Sequence, residues 1–357
     1  MHHPRPYTAL LIVPTGIGAA IGGYAGDALP VARTLAAVAD TLITHPNVLN
    51  GAQLYWPLPN AYYVEGYGLD QFAAGRWALR PVHSHTIGLL LDQDIEEELR
   101  QRHLQAADAS RATLGLNLLP YVVTDAPLGV ELRTADSGAT WGTIQRPDSL
   151  LRAAEKLIAA GASAIATVVR FPDDEGSDAL EQYRQGRGVD PLAGAEAVIS
   201  HLIVRTFQIP CAHAPALQPL PLDATISPRS AAEEIGYTFL PCVLAGLSRA
   251  PQFVTAPTQS HDLRADQVDA VVVPASACGG SAVLSLGLTP TLVIAVDNAT
   301  TLAVSPADLG IDALYASSYL EAAGMIAAHK AGVAPALLRD AIANLPPLTE
   351  IAPPKLR

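Results

Sequence analysis

Short runs of Val, Ile and Leu alternate along the chain with longer stretches in which apolar residues recur at helical spacing. The runs at 10–13, 42–44, 87–91, 121–124, 164–169, 209–211, 268–273 and 292–296 predict buried strands. The amphipathic stretches at 28–39, 94–113, 147–160, 192–207, 228–247 and 317–331 predict helices. Asp94 is expected to cap the second of these, with Glu96, Glu97 and Glu98 in its positive first turn; Gly115 and Gly161 are expected stops. Strands that are apolar throughout must be covered on both faces. The fold class that follows is α/β: mostly parallel sheet with helices on both faces, assembled from Rossmann-like βαβ units. Proline-containing breaks at 80–85 and 218–227 divide the chain into 1–85, 86–217 and 218–357, and one continuous domain fits the pattern equally well.

Composition narrows the class. Of 357 residues, 50% are hydrophobic and 16% charged, enough apolar content for a large core and too much for a disordered chain. The formal net charge of −12 argues against nucleic acid or an anionic membrane as partner. The apolar stretch 8–23 follows a basic start, but Pro14 and its glycines argue against a secretory leader. Cys211, Cys242 and Cys278 form no C-x-x-C pair, which argues against a disulfide or zinc framework and for a reducing, cytosol-like compartment. The proline-rich end, 345–357, reads as an extended strap, and an apolar chain of this size is expected to form a homo-oligomer.

Candidate chemistry concentrates in the turns after strands. Pro14-Thr15-Gly16-Ile-Gly18-Ala-Ala-Ile21-Gly22-Gly23 lets backbone N–H groups approach an anion at a helix start. Gly16 and Gly18 fit the dinucleotide fingerprint, but Ile21 stands at the third glycine and the next strand ends at His45 rather than an acid. Thr15, Gly16, Gly18, Gly22 and Gly23 are therefore candidate anion ligands, and the competing reading is a tight strand–helix turn. His45, Asn47 and Asn50 follow the second strand, where open α/β sheets bind ligands. Tyr55, Trp56, Tyr62, Tyr63 and Tyr67 cluster next, as a lid or a dimer surface.

Ala277-Cys278-Gly279-Gly280-Ser281 repeats the small-residue loop, with Asp297 at the spacing of a ribose-binding acid. A helix starting there would lower the Cys278 pKa. Cys211-Ala-His213 follows a helix carrying Glu196, His201 and Arg205; residues i and i+2 of an extended segment share a face, so thiol and imidazole can pair as nucleophile and base. Lysine occurs only at 156, 330 and 355, which leaves arginines, chiefly Arg170 and Arg205, to grip an anion. The acidic run 173–175 and the His83/His85 pair are read as solvated polarity, and no metal is expected.

At these motifs the chain resembles a domain of unknown function found in cyanobacteria and plastid-containing eukaryotes. The resembling stretches are 12–24, 44–51, 188–194 with 199–202, 211–215 and 277–281. The resemblance implies a cyanobacterial origin and a cytoplasmic location, and it brings no activity or site residues with it. From the residues themselves, the first expectation is an enzyme acting on a small anionic metabolite held by the glycine loops. Cys278 or Cys211 would be its nucleophile or acid/base, and His45 or His213 would carry protons. The competing expectations are a non-catalytic ligand-binding regulator or scaffold, and a nucleotide-dependent enzyme. No particular cofactor is indicated. All of them need the loops around Gly18 and Gly280 to converge on one cavity.

Overall fold

The structure, a computed structural model, describes residues 5–50, 57–173, 176–235, 239–255, 258–338 and 344. The chain opens with β1 (Thr8–Leu11), α1 (Leu29–Val38), β2 (Thr41–Thr44), α2 (Pro46–Leu49), β3 (Ala61–Tyr63) and α3 (Gly66–Ala73). After β4 (Ala78–Arg80) come β5 (Thr86–Leu91), α4 (Glu97–Leu114), β6 (Asn117–Leu118) and β7 (Val122–Val123). A hairpin of β8 (Val130–Thr134) and β9 (Thr140–Ile144) precedes α5 (Pro147–Ala159) and β10 (Ala164–Arg170). Next are α6 (Asp178–Arg184), α7 (Ala193–Phe207), β11 (Cys211–Ala216), α8 (Pro228–Ile235), α9 (Leu240–Leu247) and β12 (Gln252–Val254). The last part holds β13 (Val268–Pro274), α10 (Ser281–Leu286), β14 (Leu292–Val296), α11 (Pro306–Leu309), β15 (Leu314–Ala316) and α12 (Tyr319–Lys330).

Six strands form one sheet in the order β15-β14-β13-β1-β2-β3, and every pairing in it is parallel. Counted along the chain, this is the 3-2-1-4-5-6 order of doubly wound folds, with the winding reversing between β1 and β13. The second sheet runs β11-β10-β5, with β6 and β7 both beside β5, and is also parallel throughout. The α/β expectation is met. The sheets do not follow sequential thirds, because 8–63 and 268–316 share one sheet while 86–216 builds the other. One apolar cluster spans both: Leu11 and Leu35 belong with the first sheet, Leu89, Val168 and Ala212 with the second, and Leu244 of α9 joins the same cluster. Among the described residues no helix is long and apolar enough to cross a membrane.

Three elements differ from expectation. Cys211-Ala-His213-Ala-Pro215 is not a loop: β11 pairs with Ile165–Arg170 of β10 residue by residue. The helix predicted over 228–247 is two helices. Phe239, in the left-handed region at φ 41°, heads α9, and Pro241 sits in its first turn, where a missing N–H is tolerated. Helix α4 begins after Glu96, since the Asp94 N–H is donated instead to the Asp92 carboxylate.

Backbone conformation explains the glycines of the first loop. Gly16, Gly18 and Gly22 have φ of +69°, +57° and +91°. A methyl group on Gly22 would lie 2.5 Å from Val13 Cγ1. Gly280 has an ordinary φ of −69° and open space around it. Replacing Gly22 by Ala is expected to cost about 2–3 kcal/mol, and replacing Gly280 by Ala less than about 0.5 kcal/mol. Equilibrium urea unfolding of the two variants checks the contrast, which equal losses would contradict.

Candidate functional site

The crevice between the C-terminal ends of β1 and β13, where doubly wound folds take nucleotides, is filled by the chain itself. From the β8–β9 hairpin, the Thr140 N–H donates to the Gly16 carbonyl (2.9 Å). A methyl group on Gly18 would come within 2.9 Å of Val189. Residues 298–304 thread between the two glycine loops. Ala20 N–H bonds to Ala299 O and Thr301 N–H to Ile17 O on one side; Cys278 N–H bonds to Val304 O on the other. The loops around Gly18 and Gly280 thus face separate surroundings and do not share the cavity that the sequence led us to expect.

Their N–H groups are also partly taken. Gly22 N–H donates to the Asp27 carboxylate (2.6 Å), and Ala282 N–H, at the head of α10, donates to Asp70 (3.0 Å). Thr15 and Gly23 are half-buried, while Gly279, Gly280, Ser281 and Asp297 are exposed. His45 Nε2 accepts the Val13 N–H (3.0 Å), and burial lowers its pKa to about 4, so it holds the turn as a neutral ring. The Asn47 amide donates to the carbonyls of Val13 and Gly22, and Asn50 accepts from the Tyr63 hydroxyl.

The thiols are placed contrary to the nucleophile expectation. Cys278 is fully buried, and burial pushes its pKa up to about 11 rather than down. Cys211 lies in the core behind the second sheet, raised well above the usual thiol value by burial and by Glu65. The Arg170 guanidinium is committed to Glu96 (2.8 Å) and Asp173, and Arg205 is exposed on α7. Tyr67 packs edge-on against Trp77 with ring centroids 5.8 Å apart. Tyr55, Trp56, residues 174–175 and the strap at 345–357 lie outside the described residues.

A cavity of about 410 Å³ opens at the C-terminal ends of β10 and β11. Its walls come from α6, the start of α7, the 217–223 segment and α8, with Ala25 and Asn50 reaching in from the first sheet. Leu180, Leu192, Leu217, Leu220, Ile226 and Phe239 make it largely apolar. Its polar lining includes Asp190, Glu196, Glu233, His213 and Tyr183.

Helix and strand periodicity assemble this group. Glu196 and Ser200 lie one turn apart on α7 and both turn toward His213 of β11. Ser200 Oγ is 3.0 Å from His213 Nδ1, and His213 Nε2 is 3.7 Å from Glu196 Oε2. Ser200 is buried and also donates to the Ala197 carbonyl (3.3 Å), which leaves Nδ1–H to donate to Ser200 and Nε2 to face Glu196 as acceptor. In this chain the carboxyl, not the hydroxyl, meets the cavity. Glu233 accepts from the Tyr183 hydroxyl (2.8 Å) and from the Ala25 N–H. Tyr183 is held by stacking on Tyr24, with centroids 4.3 Å apart. Asp190 accepts the Leu192 N–H (2.8 Å) at the approach to α7.

Burial sets the protonation states. It raises Glu233 to about 8, with Asp190 adding to the effect, and Asp190 itself to about 6. Burial, then Asp190 and Glu233, hold Glu196 well above the carboxylate range, and burial holds His213 down at about 3. Burial thus disfavours charge on both members of the Glu196–His213 pair. The nearby guanidiniums are engaged elsewhere: Arg184 with Glu234 (2.9 Å), and Arg229 with Asp27 (3.5 Å). No group of three or more His, Cys, Asp or Glu among the described residues is placed to hold a metal.

Sequence reasoning named His213 and Asn50, noted Glu196 only as a helix residue, and missed Glu233 and Tyr183. A lone acid within Ala193-Gly-Ala-Glu-Ala-Val-Ile199 was the available signal for Glu196.

Fold and site together define an α/β protein of two parallel sheets with a carboxyl-lined cavity at the strand ends. The chain belongs to the family described as protein of unknown function DUF3326, whose model matches residues 8–339. An uncharacterized lipoprotein of Synechococcus sp. is 64% identical over 337 residues, 94% of each chain. No solved structure matches the chain.

The burial of all three thiols makes a chemical prediction. In the native protein Cys211, Cys242 and Cys278 are expected to resist iodoacetamide, and all three to be alkylated in urea. Mass spectrometry of the two samples reads the difference; rapid native labelling of Cys278 would restore it as a candidate nucleophile.

Proposed function

We propose that the chain is a small-molecule enzyme whose site is the cavity at the ends of β10 and β11, where carboxyl groups exchange protons with a largely apolar ligand. One observation carries this reading. The Glu196 carboxyl faces a largely apolar cavity with no hydrogen bond from the described residues, and His213 Nε2, 3.7 Å away, is held in place from behind by Ser200. A core built only for stability would have an apolar side chain there. Glu233, at about 8, is suited to give or take a proton near neutral pH. Glu196 and His213 form the second proton-carrying pair.

This reading replaces thiol chemistry, since neither Cys211 nor Cys278 lines the cavity. It also disfavours the anionic metabolite expected from the glycine loops, because the cavity's ionisable lining is mostly acidic and its one guanidinium, that of Arg184, is paired. A reducing, cytosol-like location is supported by three buried cysteines, none of them in a disulfide. The word lipoprotein belongs to the relative's name.

The raised acids test the reading through stability. A carboxyl whose folded pKa is raised supports the fold fully below its unfolded pKa, and that support is lost as pH rises through the folded value. For Glu233 the window runs from the ordinary carboxyl range to about 8. Wild-type Tm is expected to fall across this window. Glu233→Gln is expected to match wild type near pH 5 and to exceed it by about 1–3 kcal/mol at pH 9. Thermal melts in a pH series measure both curves. Parallel curves would show that Glu233 is ionised throughout and remove it as a proton carrier.

A further inference from the structure

We infer that the ligand of this cavity is a primary amine with a short apolar body, bound as the ammonium ion against the carboxyls of Glu196 and Glu233. The inference rests on the cavity being the functional site and goes further, to the charge and shape of what fills it.

The donor and acceptor inventory points this way. Around the acids the protein supplies few donors. Glu233 receives the Tyr183 hydroxyl and the Ala25 N–H, Asp190 receives the Leu192 N–H, and Glu196 receives none. An ionised carboxylate has about four acceptor positions, so most of those on Glu196 and Glu233 would stay empty in an unliganded cavity. The nearby cations are already placed: Arg184 on Glu234 and the Pro221 carbonyl, Arg229 on Asp27, Arg170 on Glu96 and Asp173. A ligand that takes up these acceptor positions must therefore bring donors, and one that also brings positive charge draws the carboxyls into their ionised form.

An ammonium group carries three N–H donors and one charge and accepts nothing, which complements a site made of acceptors. A divalent metal would need three or more ligating groups drawn together, and no such group occurs among the described residues. An anion brings acceptors to a site already rich in them, and an alcohol brings one donor where an ammonium brings three. The rest of the wall, with Leu180, Leu192, Leu217 and Phe239, gives a hydrocarbon body its contact, and about 410 Å³ lies within the size range of small-molecule sites. Burial favours the protonated carboxyls, and an ammonium shifts that balance: a carboxyl hands its proton to solvent and the resulting carboxylate pairs with the ammonium.

Isothermal titration calorimetry of the full chain at pH 7 tests the inference. The probes are hexylammonium, hexan-1-ol and hexanoate, each run in phosphate and in HEPES. Hexylammonium is expected to bind at least about tenfold more tightly than the other two, with a buffer-dependent heat that reports proton release. Glu196→Gln and Glu233→Gln are each expected to weaken it about tenfold, without lowering Tm at pH 7. Hexanol or hexanoate binding as tightly as the amine would overturn the amine assignment and leave the cavity as a ligand site. Unchanged amine affinity in the double Gln variant would place the amine elsewhere and overturn it too. If none of the three probes binds, both the amine assignment and the cavity reading fail.

Discussion

Parallel sheets gather every strand end of one polarity on a single edge, and with them the turns and helix starts whose N–H groups lack partners. In this protein the chain's own carboxylates meet those groups. Asp27 takes the Gly22 N–H, Asp70 that of Ala282, and Asp190 that of Leu192. Glu65 takes the N–H groups of Tyr67 and Gly68 at the head of α3. Asp92, just past β5, takes those of Leu128, Asp94 and Arg170. Each such charged hydrogen bond contributes about 1.5–3 kcal/mol in typical cases, and the positive ends of short helices favour the charge. The structure depends on this internal pairing, and it is why turns that look ready for a phosphate or a nucleotide are already occupied.

The same pairing sets off the cavity at β10 and β11. Glu196 has no backbone N–H and no guanidinium, and Glu233 has only one N–H and a phenol. Burial holds both pKa values up, and on Glu233 the Ala25 N–H and the Tyr183 hydroxyl offset it only in part. Glu196 and Glu233 are the acids left over after the fold has neutralised the rest. Functional sites tend to be where a chain leaves its own local rules unmet.

The strands were legible because a short run of β-branched residues such as Val271-Val-Val273 favours a buried strand. The β8–β9 hairpin was not, because Val130-Glu-Leu-Arg-Thr134 is a half-exposed ribbon; the Asp136-Ser-Gly138 turn was its only strong mark. The continuation of β11 through Pro215 was hidden by a residue that ends most strands. It is tolerated because β11 is an edge strand, where a missing N–H breaks no ladder. The glycine loops could be read as places needing small residues. What fills them could not, since Thr140 and Val189 arrive from the β8–β9 hairpin and from the segment before α7. Glu233 sits beside Glu234 on an amphipathic helix, a pattern that normally marks a solvated face; in the fold both line the cavity, and Arg184 pairs with Glu234.

Helix α7 carries the comparison that separates a structural acid from a functional one. At His201 the helix meets Glu65 of the first-sheet unit, bonded through Nδ1 and Oε1, with Asp70 close by. Burial draws this imidazole's pKa down, and the two carboxylates outweigh burial and raise it. A buried carboxyl that joins the two sheets is thus given N–H donors and an imidazole whose protonated form it favours. Five residues earlier on the same helix, Glu196 is given neither, although the arginines that would serve are held on its neighbours. The fold neutralises a buried acid wherever the joint between its sheets requires it. Leaving Glu196 and Glu233 without a counter-charge, on the wall of a cavity that a small molecule fits, has no structural purpose that the neighbouring contacts reveal, and it gives the site its chemistry.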